Sequence, residues 1–180
     1  MVWGWTAGLL VRRTQPRLLS RRQFERRAKR KLANGWGRPG ALLFVVVDGL
    51  IDAERFFGRR GCELIVHRFS ELVVAIASDC PATLVTPDAI LVYAHSTTHG
   101  IDMAEAIRVA VRQELGQDQR SLLDPARSSP ATGQHTLTVT IGACVFAPQQ
   151  DFDEAIQRAE DALLLAKQAG GNRFLLSSVF

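Results

Sequence analysis

Three places in the 180-residue sequence carry residue types and spacings that could do chemistry. Asp48 closes a continuous apolar run, and an acid at the end of a buried strand would lie at the rim of an active site. His95 and His99 are four residues apart, a spacing that binds zinc on a helix, but their stretch follows a strand and shows no clear third ligand. The acids of 151–155 are those that capping and the helix dipole favour in a first helical turn. The sequence therefore predicts no metal site.

The cysteines point in the same direction. Cys62, Cys80 and Cys144 lie far apart in the chain and show no C-x-x-C spacing. This spacing argues against a disulfide framework and a structural zinc site, and it fits a reducing, cytosolic setting. All three adjoin apolar runs, so we expect them in the core. The serines show no Ser/His/Asp arrangement either, and no catalytic residue is predicted.

The charge of the chain is unevenly distributed. The formal net charge is +4 and the pI is about 9.4, yet residues 1–40 hold eleven Lys and Arg against one acid, Glu25. Residues 41–180 hold eleven Lys and Arg against seventeen acids and are mildly acidic. A high pI alone would suggest a nucleic-acid partner. The distribution does not support that partner for the globular part, and the suggestion applies only to a basic arm, Arg12 to Lys31.

The first eleven residues, MVWGWTAGLLV, are apolar and precede Arg12 and Arg13. They are too few to span a bilayer, which takes about 20 residues, and a signal peptide would carry its positive charge before the apolar stretch. Three alternatives stay open: a segment at a membrane surface with Trp3 and Trp5 at the headgroup level, the tail of a longer membrane or sensor region, or a disordered basic leader. We expect a cytoplasmic protein, with a contact to the inner face of the membrane as an alternative.

Helix and strand signals alternate through the first half of the chain. Ser20 and Gln23 form a capping box at the start of SRRQFERRAKRKLAN, and the glycines and proline of 34–40 end that helix. The run ALLFVVVDG predicts a strand covered on both faces. LIDAERFFG predicts a short helix that Gly58 ends, and CELIVHRFSELVVAIASDC predicts a longer one. The predicted apolar face of the longer helix consists of Leu64, Phe69, Leu72, Val73 and Ile76.

The segment ATLVTPDAILVYAH predicts two strands joined by a bend at TPD. A helix over about 101–115 follows, and the stretch 116–134, rich in Ser, Pro, Gly and Gln, is predicted as a loop insertion. A strand over 135–146, a helix over 151–169 that Gly170 ends, and a last strand near 173–178 complete the chain.

The order β-α-α-β-β-α-β-α-β predicts an α/β sandwich, with a central, mostly antiparallel sheet flanked by helices. We expect one domain over 18–180 after a leader over 1–17.

Several of these segments resemble the GGDEF domain, the diguanylate cyclase family of bacterial cyclic-di-GMP signalling. LLSRRQF is similar to the family's L-P-N-R-R-x-F, LLFVVVDGLIDAERFFG to D-x-D-x-F-K-x-x-N-D-x-x-G, and VTIGACVF to V-S-I-G-V-A. The most specific match is AEDALLLAKQAGGNRF with A-D-x-A-L-Y-x-A-K-x-x-G-R-N-R-V. The resemblance runs from about Leu18 to Phe174 and implies a nucleotide-cyclase or palm-like sandwich.

The resemblance also implies a reaction that joins two GTP molecules, with two metal ions held by carboxylates and with backbone close to the phosphates. It places Val46 at the family's first, metal-binding Asp, and a valine offers no oxygen to a hard cation. It places Asp48 at the second, usually more structural, Asp.

The signature loop of the family falls on residues 86–90. Thr86 and Pro87 stand where the family has two glycines that let backbone approach the nucleotide. Asp88 keeps an acidic, metal-binding position, and Ala89 replaces the Glu that is linked to chemistry.

Other family positions are changed as well. Glu54 stands at the guanine-binding Asn and Cys62 near the guanine-binding Asp, while the inhibitory product-binding Arg-x-x-Asp falls on 77–80 and is absent. Lys167 and Arg173 match family residues that contact phosphate, although a Lys near a helix C-terminus and an Arg at a strand start are also ordinary surface charges.

The sequence thus predicts a catalytically inactive GGDEF-like domain, without resident cofactor or metal, that acts as a regulatory or protein-interaction module. A homodimer through the N-terminal helix is a further expectation, because the family often dimerises there. A vestigial nucleotide pocket would involve Asp88, Lys167 and Arg173. Two alternatives remain: a domain that still binds GTP with Mg²⁺ or is a weakly active cyclase, and a domain that binds an anionic membrane or nucleic acid through the basic arm.

Overall fold

The computed structural model of the chain describes residues 18–34, 38–116 and 137–177. The predicted leader and nearly all of the predicted loop insertion lie outside these residues, as do Trp3, Trp5 and the first part of the basic arm. The described helices are α1 (Arg21–Asn34), α2 (Leu50–Ala77), α3 (Thr97–Glu114) and α4 (Phe152–Gln168). The described strands are β1 (Gly40–Asp48), β2 (Ala82–Thr86), β3 (Ala89–Ala94), β4 (Thr138–Phe146) and β5 (Phe174–Ser177). Within those ranges, no helix combines the length and the hydropathy needed to cross a bilayer.

The five strands form one sheet in the order β2-β3-β1-β4-β5. All neighbours are antiparallel except β4 and β5, which are parallel. The central strand β1 pairs with β3 on one side and with β4 on the other along most of its length. The predicted α/β sandwich with a mostly antiparallel central sheet is confirmed.

The sheet is covered on both faces, which explains the unbroken apolar run of β1. Its odd-numbered residues, from Ala41 to Val47, pack in one core cluster with α2 and α3. Its even-numbered residues, from Leu42 to Val46, pack in a second cluster with α1 and α4. Because consecutive side chains of a strand point to opposite faces, both sets must be apolar.

Helix α1 begins with the predicted capping box. The Ser20 Oγ accepts the Gln23 backbone N–H at 3.4 Å, and the Gln23 Oε1 accepts the Ser20 N–H at 3.2 Å. The apolar face of Phe24, Ala28 and Leu32 is buried against the sheet. The C-terminal part of the basic arm is therefore a structural helix of the domain.

Helix α2 contains the break predicted at Gly58, whose φ of 68° and ψ of 175° interrupt the helical backbone. The predicted face of the second part was wrong at one position. Leu64 is 47% exposed, and Ile65, 1% exposed, takes its place in the core. The predicted face placed the apolar stripe of this helix one residue too early at that turn.

The predicted start of α3 near residue 101 was also wrong. The helix begins at Thr97, because Ser96 is its N-cap and the Ser96 Oγ accepts the His99 backbone N–H at 3.1 Å. His99 therefore lies in the first turn of a helix, and His95 follows β3 directly.

Helix α4 lies on β4 with backbone in contact with backbone. A Cβ on Gly142 would be 2.1 Å from the Ala159 carbonyl oxygen and 2.2 Å from the Leu163 nitrogen. At its start, Asp151 is the predicted cap, and its carboxylate accepts the N–H groups of Asp153 and Glu154. This cap accounts for the acids of 151–155 without any ligand.

We expect the Gly142→Ala variant to lower the free energy of unfolding by about 3 kcal/mol, because the added methyl must push α4 away from β4. Urea unfolding followed by circular dichroism measures this change. Gly49→Ala is the matched control: its Cβ would find its nearest neighbour, a Leu137 carbon, at 3.9 Å, but Gly49 has a φ of 78°. It should cost only about 1 kcal/mol from left-handed strain, and equal losses in the two variants would contradict the close contact.

Candidate functional site

Four strand ends meet at one edge of the sheet, called the rim below. Because β3 and β4 run antiparallel to β1, their first residues lie beside its last, and β5 runs parallel to β4. The rim therefore brings together Asp48 from β1, Asp88 before β3, Thr138 from β4 and Arg173 before β5. Two of the three residues of the predicted vestigial nucleotide pocket, Asp88 and Arg173, lie at this rim.

The Asp48 carboxylate binds three donors of the protein itself. It accepts the Thr138 hydroxyl at 2.9 Å, the Thr140 hydroxyl at 2.8 Å and the Asn172 backbone N–H at 3.3 Å. Thr140 is fully buried, so the donation of its hydroxyl to a charged acceptor satisfies a group that water does not reach. Asp48 thus links β1 to β4 and to the turn between α4 and β5, and its lone pairs are largely occupied.

The turn between α4 and β5 has the backbone that its sequence allows. Gly170, Gly171 and Asn172 all have positive φ, at 108°, 68° and 48°. A Cβ on Gly171 would lie 3.2 Å from the Thr140 Oγ1, which leaves little room for a side chain. The glycine pair therefore both ends α4 and lets Asn172 reach Asp48.

The hairpin between β2 and β3 holds Asp88. The Asp88 Oδ1 accepts the Thr86 hydroxyl at 2.6 Å, and the Asp88 carbonyl accepts the Val47 N–H at 3.1 Å. Thr86 and Pro87 are exposed, and neither has a positive φ. Pro87 has no N–H to offer an anion. The turn therefore presents one carboxylate, that of Asp88. The side chains of Thr86 and Pro87 stand at the positions where the family has glycines.

Val46 and Ala89 face each other across β1 and β3 in the sheet register. They are 5% and 3% exposed and belong to the same core cluster. The resemblance places one carboxylate of the family at each of these positions. In this chain the place between them is filled by two apolar side chains that cannot coordinate a cation.

Glu54 and Cys62, which stand at the guanine-binding positions, lie on α2 near the rim. Burial raises the pKa of the Cys62 thiol, and the nearby carboxylates of Glu54, Glu63 and Asp88 raise it further. The thiol donates to the Leu50 carbonyl at 3.8 Å. This side of the rim is acidic, and its thiol stays protonated at neutral pH.

Lys167 and Arg173 are both exposed at the other side. Lys167 lies in the last turn of α4, where a positive charge suits the helix dipole. The Arg173 Nε donates to the Gly171 carbonyl at 3.2 Å. Among the described contacts, no hydrogen bond or ion pair links Asp88, Lys167 and Arg173 to one another, so the predicted nucleotide trio stays a prediction.

The structure brings together one cluster that sequence reasoning did not assemble. Donor atoms of Cys80, His95 and His99 lie within 4.8 Å of one another. The two histidines were noted as a pair without a third ligand, and Cys80 stands fifteen residues before the first of them. Only the pairing of β2 with β3 could have pointed to this neighbourhood.

Known proteins support the fold. No protein-family model matches the chain. The diguanylate cyclase DosC of Escherichia coli (strain K12) is 27% identical over 162 residues, which cover 87% of this chain and 33% of that protein. The chain thus spans about a third of the length of this curated relative.

Two solved structures have closely similar backbones. The GGDEF domain of DgcB from Caulobacter crescentus, in complex with c-di-GMP, gives a TM-score of 0.72 at 18% identity, covering 88% of this chain and 91% of that one. The diguanylate cyclase SiaD from Pseudomonas aeruginosa, in complex with its activator SiaC, gives a TM-score of 0.66 at 16% identity, covering 89% of this chain and 59% of that one. The chain has the fold of GGDEF domains, as its resemblance implied.

We expect Asp48→Ala to lower the free energy of unfolding by about 3 kcal/mol, because it removes the charged acceptor of the buried Thr140 hydroxyl and of the half-buried Thr138 hydroxyl. Urea unfolding measures the loss. Asp88→Ala removes a carboxylate from the same rim but frees only an exposed hydroxyl, so we expect less than about 1 kcal/mol. If the Asp88 variant is as unstable as the Asp48 variant, Asp48 is not the structural centre of the rim.

Proposed function

We propose that the chain is a catalytically inactive GGDEF-like domain that acts as a regulatory or protein-interaction module in bacterial cyclic-di-GMP signalling. The observation that carries this proposal is the apolar pair of Val46 and Ala89. The fold supports the cyclase framework, and this pair supports the loss of its chemistry.

The physical reason lies in the charge of the substrate. A reaction between two triphosphates needs divalent cations to neutralise phosphate oxygens, and carboxylates must hold those cations. Loss of one metal carboxylate costs several kcal/mol of transition-state stabilisation, and each ~1.36 kcal/mol is a factor of ten in rate. Val46 stands in the place of such a ligand, and Ala89 replaces the Glu that the resemblance links to chemistry, so the expected loss of rate is several orders of magnitude.

The surroundings of the pair add to this effect. Asp88 and Glu54 keep negative charge near Cys62, and without a bound cation that charge repels a triphosphate. Pro87 and Thr86 replace backbone that would otherwise approach the phosphates. At the other side, Lys167 and Arg173 could contact phosphate, but the metal ligand and the glycine backbone that would complete a phosphate site are replaced. This supports a function through protein contacts rather than through nucleotide binding.

A protein partner is the natural occupant for such a module. SiaD was solved with its activator SiaC, so a protein of this fold does bind a protein partner. By analogy in fold alone, this domain would transmit a signal by contact, with no product of its own. Its partner would be another component of the same signalling pathway.

Helix α1 favours a second candidate, the binding of an anionic surface. It carries seven Lys and Arg against one acid over Arg21–Asn34. Two of them hold other elements: Arg21 pairs with Asp153 at 2.9 Å, and Lys31 with Asp79 at 3.2 Å. The other five are exposed: Arg22, Arg26, Arg27, Lys29 and Arg30.

We expect the purified chain to form no cyclic dinucleotide from GTP and Mg²⁺, and to show no calorimetric binding of GTP in the micromolar range. Its melting temperature should not depend on Mg²⁺. Product formation is measured by chromatography of the reaction mixture. Steady turnover that is lost in Asp88→Ala would overturn the proposal, and micromolar GTP binding without turnover would support the GTP-binding alternative instead.

The pair itself can be tested by restoring the two carboxylates. We expect the double variant Val46→Asp, Ala89→Glu to melt at a lower temperature in EDTA, because it buries unpaired carboxylates, and to recover part of the loss when Mg²⁺ is added. Val46→Asn, Ala89→Gln is the matched neutral control and should show no recovery. A wild-type chain that gains as much from Mg²⁺ as the double variant would mean that a cation site already exists.

The basic face of α1 is tested by Arg22→Gln, Arg26→Gln, Arg30→Gln, which leaves the buried face of the helix intact. If the face binds DNA, we expect the slope of log K against log salt to fall by about 1 for each charge removed. Anionic and neutral lipid vesicles form the second arm. Identical binding of the wild type and the triple variant would exclude this candidate.

A further inference from the structure

Three potential metal ligands converge at the end of the sheet opposite the rim. Cys80 precedes β2, His95 follows β3, and His99 lies in the first turn of α3. Their donor atoms all lie within 4.8 Å of one another. The two Nδ1 atoms are 2.9 Å apart, and the ring centroids are 4.2 Å apart.

The backbone holds these residues in place without help from the cluster itself. The Cys80 N–H donates to the Ala77 carbonyl at 2.9 Å, and the Tyr93 N–H donates to the Pro81 carbonyl at 3.0 Å, which joins the start of β2 to the end of β3. The Ser96 cap fixes the His99 backbone. The ligands therefore need only side-chain adjustment to bind an ion.

We infer that Cys80, His95 and His99 form a binding site for a divalent transition-metal ion, zinc above all, with a solvent molecule as the fourth ligand. A thiolate and two imidazoles form a donor set that suits zinc and excludes the hard cations Mg²⁺ and Ca²⁺, which take oxygen ligands. Three protein ligands with one open position form a coordination type that zinc commonly has in proteins.

The distances agree with this assignment after a small adjustment. With Zn–N bonds of ~2.0 Å and a Zn–S bond of ~2.3 Å, tetrahedral geometry separates the donor atoms by about 3.3–3.6 Å. The imidazole nitrogens must therefore move apart by about 0.4 Å, and the sulfur, which lies within 4.8 Å of both histidine donors, must reach a separation of about 3.5 Å from each. His95 is exposed and His99 half-buried, so both rings have room to turn.

The 2.9 Å contact between the two Nδ1 atoms has a direct meaning for protonation. As a hydrogen bond, it needs one Nδ1 to carry a proton and the other to accept it. With both protons on Nε2, two lone pairs would face each other, and a cation between them would convert that repulsion into two bonds. The same geometry suits one proton or one metal ion.

Asp79 and Lys31 border the site but are engaged with each other. The Lys31 ammonium donates to the Asp79 carbonyl at 2.8 Å and to its carboxylate at 3.2 Å. Burial raises the pKa of the Cys80 thiol, so an ion that binds must displace the thiol proton to solvent. Zinc binding thus converts one thiol and Zn²⁺ into a zinc thiolate and one released proton.

The site is independent of the proposed loss of catalysis. Because β3 runs antiparallel to β1, Ala94 lies opposite Ala41, at the end of β1 far from Asp48. A bound ion would join the α2–β2 connection to the β3–α3 connection. It would stabilise the domain whether or not nucleotide binds at the rim.

The test is titration of the full chain, freed of metal, with ZnCl₂ by calorimetry and with CoCl₂ by absorption spectroscopy. We expect one equivalent of metal per chain and a thiolate-to-cobalt charge-transfer band. Cys80→Ser should abolish the band, and His95→Ala should weaken zinc binding more than about a hundredfold, since even the loss of a residue behind a metal ligand costs 10–100-fold. His95 is exposed, so this second variant keeps the fold if the Cys80 variant does not.

Two matched controls use residues outside the cluster. Cys62→Ser and His67→Ala remove the same side-chain types from α2 and should leave stoichiometry, affinity and the cobalt band unchanged. Zinc should also raise the melting temperature of the wild type and of both controls but not that of His95→Ala. The inference is overturned if binding is substoichiometric, if the cobalt band persists in Cys80→Ser, or if His95→Ala binds zinc as tightly as the wild type.

Discussion

The hydrogen bonds of one carboxylate hold the rim of this domain together. Asp48 ends the central strand, and it accepts donors from β4 and from the turn after α4. A charged acceptor with three donors in a half-buried place contributes more than a neutral hydrogen bond would. The turn of Gly170, Gly171 and Asn172 has positive φ angles, and this backbone brings the Asn172 N–H to the Asp48 carboxylate. The resemblance implies that Asp48 is the more structural of the two acids, and its hydrogen bonds agree with that role.

The framework of a cyclase and the chemistry of a cyclase depend on different residues, and that is why one can remain without the other. Strand pairing, the cap of α1 and the close contact of α4 with β4 make no use of a metal cage. Val46 and Ala89 instead extend the apolar core as far as the rim, so apolar residues at these two positions cost nothing in folding and avoid the burial of unpaired carboxylates. A pair of buried acids without a cation would be among the least stable features such a sheet could carry. Under the proposed function, the loss of catalysis would coincide with a gain in stability.

Local signals in the sequence predicted local structure well. The Ser20 and Gln23 capping box, the doubly covered β1, the hairpin at Asp88 and the glycine end of α4 each depend on residues a few positions apart. The predicted start of α3 was wrong because Ser96 is the N-cap of that helix, and the predicted face of α2 was wrong only at Leu64, whose neighbour Ile65 is the buried residue. The neighbourhood of Cys80 and the histidines was missed although the predicted hairpin brings Cys80 and His95 together, because the start of α3 at Thr97, which places His99 beside His95, was not predicted. The apolar contact of Val46 with Ala89 needed the strand register in the same way.

The contact at Gly142 has a mechanical consequence. Where side chains separate a helix from a sheet, the helix can shift slightly along the sheet through small changes of side-chain rotamers. At Gly142 no side chain separates α4 from β4, and the backbones of the helix and the strand are in direct contact. The C-terminal end of α4 leads directly into the glycine turn, whose Asn172 N–H donates to Asp48. A displacement of α4 along its axis would therefore move this turn as well, and with it a donor of Asp48.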